Sequence, residues 1–199
     1  FYRLGDFYEM FFEDAKLVSQ ELDLVLTGRS AGVEEKVPMC GIPFHAANSY
    51  IQRLVKKGYK VAICEQLEDP SSAKGLVDRG IIKIITPGTY MDATMDAKST
   101  NYMASCDVSS FEITVIYCEL STGELKYQTL QRSLVALQKA LLEQNVSELV
   151  CPMTMDKKWM AALEEMDTML ISKHKKANID PEDLPLLNGI ESESLKEAL

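Results

Sequence analysis

Gly5-Asp6-Phe7-Tyr8-Glu9-Met10-Phe11 is the stretch on which the reading of this chain turns. Successive side chains of an extended strand point to opposite faces. Phe7, Glu9 and Phe11 therefore share one face, and Tyr8 and Met10 the other. An aromatic ring and a carboxylate two residues apart make a poor core, so part of that face meets solvent or a ligand. On pattern alone the aromatics between Tyr2 and Phe12 could equally all be core.

Outward from this stretch, Tyr2 to Phe11 reads as one aromatic-rich strand. Glu13-Asp14 opens an amphipathic helix that carries Ala15, Leu17, Val18 and Leu22, with acids in its first turn. Leu24 to Thr27 reads as a strand, Gly28 to Lys36 as a polar loop, and Val37 to Phe44 as an apolar run broken by Gly41 and Pro43. A second helix is expected over His45 to Lys57, ending at Gly58. Strands follow at Tyr59–Cys64 and Ile81–Ile85, with a loop of helical potential between Asp69 and Arg79. Pro87-Gly88 stops the last strand.

Met91 to Ser99 lacks periodicity and is expected to separate two domains, 1–93 and 100–199. Three strand-like runs follow, Tyr102–Val108, Phe111–Leu120 and Leu125–Leu130, spaced as in an antiparallel meander. Ser133 caps a helix from Leu134 to Gln144. A strand at Glu148–Cys151, a helix at Met155–Met166, a strand at Met169–Ser172 and a loop at Pro181–Gly189 complete the pattern. That element order is the order of an RNase H-like domain. The fold class is α/β (α+β): a mixed-sheet domain, then an RNase H-like one.

Net charge is -9, unevenly spread: the first 90 residues hold 11 basic and 12 acidic side chains, the remainder 10 and 18. If the chain meets nucleic acid, its first half does so. The acidic second half reads as a protein-contacting or spacing element. No apolar run is long enough to span a bilayer. Cys40, Cys64, Cys106, Cys118 and Cys151 show no CxxC spacing and are expected to be buried reduced thiols. Phe1 to Asp6 has no initiator Met and no secretory signal, and Ser194 to Leu199 stops inside a helix-like pattern. Both ends are expected to be cuts from a longer chain.

There is no GxxxxGK[ST] phosphate loop, so ATP hydrolysis through that motif is not expected. A metal-dependent nuclease on the second domain is the enzymatic alternative. Asp107, Glu112 and Glu119 are its candidate carboxylates, but no convincing second and third ligand accompanies Glu119.

Gly5-Asp6-Phe7-Tyr8-Glu9 resembles the mismatch-reading Phe-x-Glu motif of the MutS family. Val37-Pro38-Met39-Cys40-Gly41-Ile42-Pro43-Phe44-His45-Ala46, Val61-Ala62-Ile63-Cys64-Glu65-Gln66 and Ile85-Thr86-Pro87-Gly88-Thr89 fit the same family in the same order. Asn101-Tyr102-Met103-Ala104 and Leu120-Ser121-Thr122-Gly123-Glu124 fit it more loosely. The family's N-terminal arm is missing, and Glu119 stands where an Asp is expected.

The resemblance implies a mismatch-recognition domain followed by an incomplete connector. Phe7 would be the wedge that enters the minor groove at a mispaired or unpaired base, and Glu9 would hydrogen-bond the displaced base. Leu4 and Met39 are candidates to flank the wedge, and Arg29 to touch the DNA backbone. His45 could contact phosphate or groove, or cap its helix, and Lys56 and Lys57 read as a solvated helix end. No catalytic or metal-ligating residue is expected here, and no cofactor in this stretch. ATP and Mg belong to the full-length protein, a homodimer that also meets MutL, while this stretch alone is expected to be monomeric. The location implied is the cytoplasm, at the nucleoid when DNA is bound. Two rival readings are a relative adapted to another DNA structure, which the presence of both Phe7 and Glu9 opposes, and an interaction module that never meets DNA.

Overall fold

The computed structural model of the chain describes residues 1–30, 32, 36–68, 75–91 and 100–175. They form a mixed α/β protein that divides into two compact units, Phe1–Thr86 and Pro87–Leu199.

The first unit is built on a six-stranded sheet. Its strands are β1 (Tyr2–Leu4), β2 (Phe7–Phe11), β3 (Thr27–Arg29), β4 (Val37–Pro43), β5 (Val61–Gln66) and β6 (Arg79–Ile85), in the order β3-β4-β2-β1-β5-β6. Only β1 and β5 run parallel. The expected single strand over Tyr2 to Phe11 is instead a hairpin, with Leu4 opposite Phe7. Gly5, at φ 58, begins the two-residue reversal, a backbone region that glycine enters without steric cost.

Helix α1 (Phe12–Leu22) buries Ala15, Val18, Ser19 and Leu22, one face at helical spacing, and carries Glu13 and Asp14 in its first turn. Helix α2 (Ala47–Lys56) buries Ala47, Ile51, Leu54 and Val55 after a short 3-10 turn at Phe44–Ala46. With Tyr8, Met10, Cys40 and Ile42 from one face of the sheet, these side chains make the core.

The expected strand at Leu24–Thr27 starts three residues later, at Thr27, as β3. Asp23 takes φ 57 at the end of α1, and the Leu24 N–H donates to the Ser19 carbonyl at 2.9 Å. That wrap turns Val25 and Leu26 out to solvent, and ladder pairing begins only at Thr27 opposite Met39. Arg29 is therefore a strand residue and not a loop residue. Residues 69–74 of the expected loop with helical potential lie outside the described residues, and 75–78 are not helical.

In the second unit the strands are β7 (Tyr102–Val108), β8 (Glu112–Glu119), β9 (Glu124–Gln131), β10 (Val146–Pro152) and β11 (Leu170–His174), in the order β11-β10-β7-β8-β9. β7, β8 and β9 form an antiparallel meander, while β10 runs parallel to both β7 and β11. Helix α3 (Leu134–Glu143) is capped by the Ser133 hydroxyl, which accepts from the Ala136 N–H at 3.4 Å. Helix α4 (Lys157–Glu164) starts two residues later than the pattern suggests. The Asp156 carboxylate fixes that start by accepting the Lys158 and Trp159 N–H groups at 2.8 and 3.3 Å. Tyr102, Cys106, Val115, Tyr117, Leu137, Leu141, Leu149 and Cys151 lie in its core.

The seam between the two compact units falls between Thr86 and Pro87. The Gly88 N–H donates to Glu148 Oε2 at 3.1 Å, and Asn101 Nδ2 donates to the Pro87 and Tyr90 carbonyls at 2.8 and 3.2 Å. Those bonds make residues 87–90 part of the second unit. The expected boundary at residues 92–99 and the loop at Pro181–Gly189 lie outside the described residues. All five cysteines are free thiols: Cys40, Cys106 and Cys151 are buried, and Cys64 and Cys118 partly so. Among the described residues no helix is long and apolar enough to cross a membrane.

Candidate nucleic-acid interface

Residues paired directly across a ladder project on the same side of a sheet, so the register of the first sheet sorts its side chains into two faces. Tyr8 opposite Ile42 and Met10 opposite Cys40 point inward, under α1. On the outer face the rows are Leu4–Phe7–Pro43, Tyr2–Glu9–Gly41, Phe11–Met39–Thr27 and Arg29–Val37. The alternation read from the sequence over Phe7 to Phe11 holds in the structure.

Phe7 is the first residue after the hairpin reversal and is 48% exposed. Tyr2 is 38% exposed, and its ring meets Phe11 edge-on at 6.5 Å. An aromatic face left this open is unusual for a sheet that buries its other side. Leu4 lies directly opposite Phe7. Met39 lies beside Phe11, two rows from Phe7, and so flanks Glu9 more nearly than the aromatic tip.

Glu9 is not an isolated carboxylate. Arg29 Nη1 donates to its Oε2 at 3.0 Å; the Glu9 side chain is 17% exposed and that of Arg29 is 54% exposed. This pairing spans 20 positions of sequence and was not expected. Gly41 lies opposite Glu9 and presents no side chain; a Cβ built there would meet Glu9 Cγ at 3.5 Å, an ordinary packing distance.

His45 sits in the 3-10 turn after Pro43 and off the four rows. Its ring packs edge-on against Phe44 at 5.9 Å. Neither of the helix starts around it has a side-chain cap, which removes the capping alternative. Sequence reasoning missed Arg3. Its guanidinium lies 3.8 Å from the Phe44 ring centroid and pairs with Glu65, which also accepts a hydrogen bond from the Tyr8 hydroxyl. Burial first, and then the Glu65 carboxylate, pushes the Tyr8 hydroxyl above its ordinary pKa. Arg79, 5.4 Å from the centre of the Tyr2 ring, was missed as well. At the end of α2, Lys57 pairs with Glu21 at 2.6 Å and Lys56 is exposed.

The nuclease alternative depends on Glu119. Its two oxygens accept bonds from the Ser121 hydroxyl and from the Thr122 N–H and hydroxyl, at 2.6 to 2.8 Å. Those bonds hold its carboxyl below the usual range, Thr122 contributing most. Glu119 lies opposite Tyr102, whereas Glu112 lies at the other end of the same strand. Seven residues of strand separate the two by about 24 Å, far beyond the ~4 Å of a shared metal pair. Glu119 closes the β8–β9 turn. Among the described residues no group of three or more metal-binding side chains comes together.

Comparison with known proteins places the chain in a family. Residues 1–94 match the model of MutS domain I. A DNA mismatch repair protein MutS of Clostridium botulinum (strain Loch Maree / Type A3) is 53% identical over 158 residues, covering 74% of this chain and 17% of the relative. A DNA mismatch repair protein MutS of Clostridium tetani (strain Massachusetts / E88) is 44% identical over 200 residues, covering 99% of this chain and 22% of the relative. The chain thus spans about a fifth of the length of these relatives. With its first sheet matched to that domain and nearly its whole length aligned to such relatives, the chain belongs to the MutS family and carries domain I at its front.

Proposed function

We propose that the outer face of the first unit reads mispaired and unpaired bases in duplex DNA, as the first step of DNA mismatch repair. The observation that carries this is Phe7: a large aromatic ring, half exposed, projecting beside a glycine-formed hairpin, with a carboxylate two residues along the same face. Phe7 enters the minor groove and stacks on the errant base. Such a wedge unstacks a step at a cost of about a few kcal/mol. The cost is least where pairing is already weak, so discrimination follows from the deformability of the duplex and not from its sequence. Glu9 accepts a hydrogen bond from the displaced base. Leu4 and Met39 line the groove floor beside them, and Arg29 and His45 lie within reach of phosphate.

The second unit acts as a connector between the DNA-reading face and an ATP- and Mg-dependent engine elsewhere in the full-length protein, a homodimer. It passes the signal to MutL. Its strand order, a meander with two parallel strands added beside the first, supports the RNase H-like reading of that connector. The family setting supports a cytoplasmic protein that joins the nucleoid when bound to DNA.

The test is Phe7→Ala in the full-length protein, titrated at fixed salt against a matched duplex and the same duplex with one mismatch. Losing one aromatic stack should remove roughly 1–3 kcal/mol of mismatch preference. Thermal stability should barely change, because the ring is half exposed. Retained preference, or a large fall in melting temperature, would assign Phe7 to the core and end the proposal.

A further inference from the structure

Resting on that reading, we propose that Arg29 is a specificity-determining residue that latches Glu9 away from Phe7 until a mismatch draws it back. The rows of the outer face carry the argument. Phe7 lies one row to one side of Glu9, and Arg29 lies two rows to the other, beyond the Phe11–Met39–Thr27 row. The 3.0 Å ion pair therefore draws the Glu9 carboxylate toward Arg29 and away from the ring on which a displaced base would stack. Gly41, opposite Glu9 on the neighbouring strand, presents no side chain beside it.

Arg29 holds Glu9 through Oε2 and turns the carboxylate from the Phe7 side, so serving a base stacked on Phe7 means leaving Arg29. On a matched duplex no base offers it a hydrogen bond, so the pair stays closed, and the guanidinium cancels the repulsion that a bare carboxylate would suffer in the field of the phosphates. At a mismatch, the base stacked on Phe7 offers a donor and Glu9 swings across. The ion pair opens, and its loss sets a threshold that only a real hydrogen bond overcomes. Arg29 uses a single N–H group of the five a guanidinium carries in holding Glu9, and its side chain is half exposed on the edge strand β3. Removing it leaves the core untouched.

The latch differs from a simple backbone contact in one measurable way. A residue that only touches phosphate weakens matched and mismatched binding by the same factor. A latch changes their ratio. In the full-length protein, Arg29→Ala should weaken matched binding more than mismatched binding and raise the mismatch-to-match ratio by roughly two- to five-fold, the range of a half-exposed ion pair. In a Glu9→Gln background the same substitution should leave the ratio unchanged. Arg29→Lys, which restores the charge, should bring the ratio back toward that of the unaltered protein, and melting temperatures should stay level throughout.

A ratio that Arg29→Ala leaves unmoved or lowers, in a protein whose mismatch preference still depends on Phe7, overturns the latch alone. A ratio that rises equally in the Glu9→Gln background overturns it too. Absence of any mismatch preference in the unaltered protein overturns both the latch and the reading beneath it.

Discussion

Glu9 faces Gly41 across the β2–β4 ladder, close enough that a Cβ at position 41 would meet its Cγ at 3.5 Å and the Tyr8 carbonyl oxygen at 3.4 Å. Gly41 adds no side chain beside the carboxylate, so the partner of Glu9 on this face comes from further along it, at Arg29. The carboxylate of the outer face is consequently a paired one.

Glu9→Ala and Glu9→Gln should both strengthen binding to matched duplex, because each removes a negative charge from the field of the phosphates. The gain should steepen the salt dependence of matched binding by about one counterion. Mismatch binding should fall or stay level, since a hydrogen bond to a charged acceptor contributes about 1.5–3 kcal/mol. Titrations of both duplexes across a salt series read this out. If matched affinity falls in both variants, Glu9 is a support for the strand that carries Phe7 and not a discriminator.

Gly88→Ala should destabilise the second unit. The new Cβ would lie 2.8 Å from Glu148 Cβ and 3.0 Å from Met103 Cβ, atoms held close to the backbones of β10 and β7. Overpacking of that kind costs about 1–3 kcal/mol. Trp159, the one tryptophan of the chain, lies on α4 in this unit, so its fluorescence during urea unfolding follows the second unit selectively. An unchanged midpoint would mean that residues 87–90 are not fastened to β10.

Acid should expose the role of Glu119. Bonds from Thr122 and Ser121 hold its carboxyl below the ordinary range, so its protonation opposes folding. Such a group adds stability above its unfolded pKa, about 4.3 for Glu, and that stability is lost as pH falls through the lower folded value. Glu119→Gln should therefore lower the unfolding midpoint at neutral pH, with the gap to the unaltered protein closing below about pH 4. The Trp159 signal again serves. A gap independent of pH would show that the turn is held by the hydroxyls alone.

Much of this architecture was legible because its signals are local. The period-two alternation from Phe7 to Phe11, the helical spacing of Ala15, Val18 and Leu22, and the Ser133 cap each depend on neighbours within a few residues. What escaped reading was set by distant partners or by chain reversal. The hairpin at Gly5 looked like uninterrupted strand because both arms are aromatic. The start of β3 reads three residues early because the wrap of Leu24 onto Ser19 leaves no mark in hydropathy. The site was half legible: Phe7 and Glu9 follow from motif and alternation, whereas the Arg29–Glu9 pair joins residues 20 apart through a register that only the folded sheet defines. Arg3 on Phe44 is of the same kind.

The fastening of Gly88 to Glu148 also has a consequence for how this protein can be recombined with its relatives. Similarity to domain I runs to residue 94, yet the seam in the structure falls between Thr86 and Pro87. A chimera that exchanges the front module at residue 94 would join a foreign Pro-Gly segment to the resident β10. A mismatched fit there would leave a carboxylate that is only 4% exposed short of a donor. A crossover placed after Thr86 would carry Gly88, Asn101 and Glu148 together from one parent. Grafted front units should therefore tolerate exchange at the earlier junction better than at the one that sequence similarity suggests.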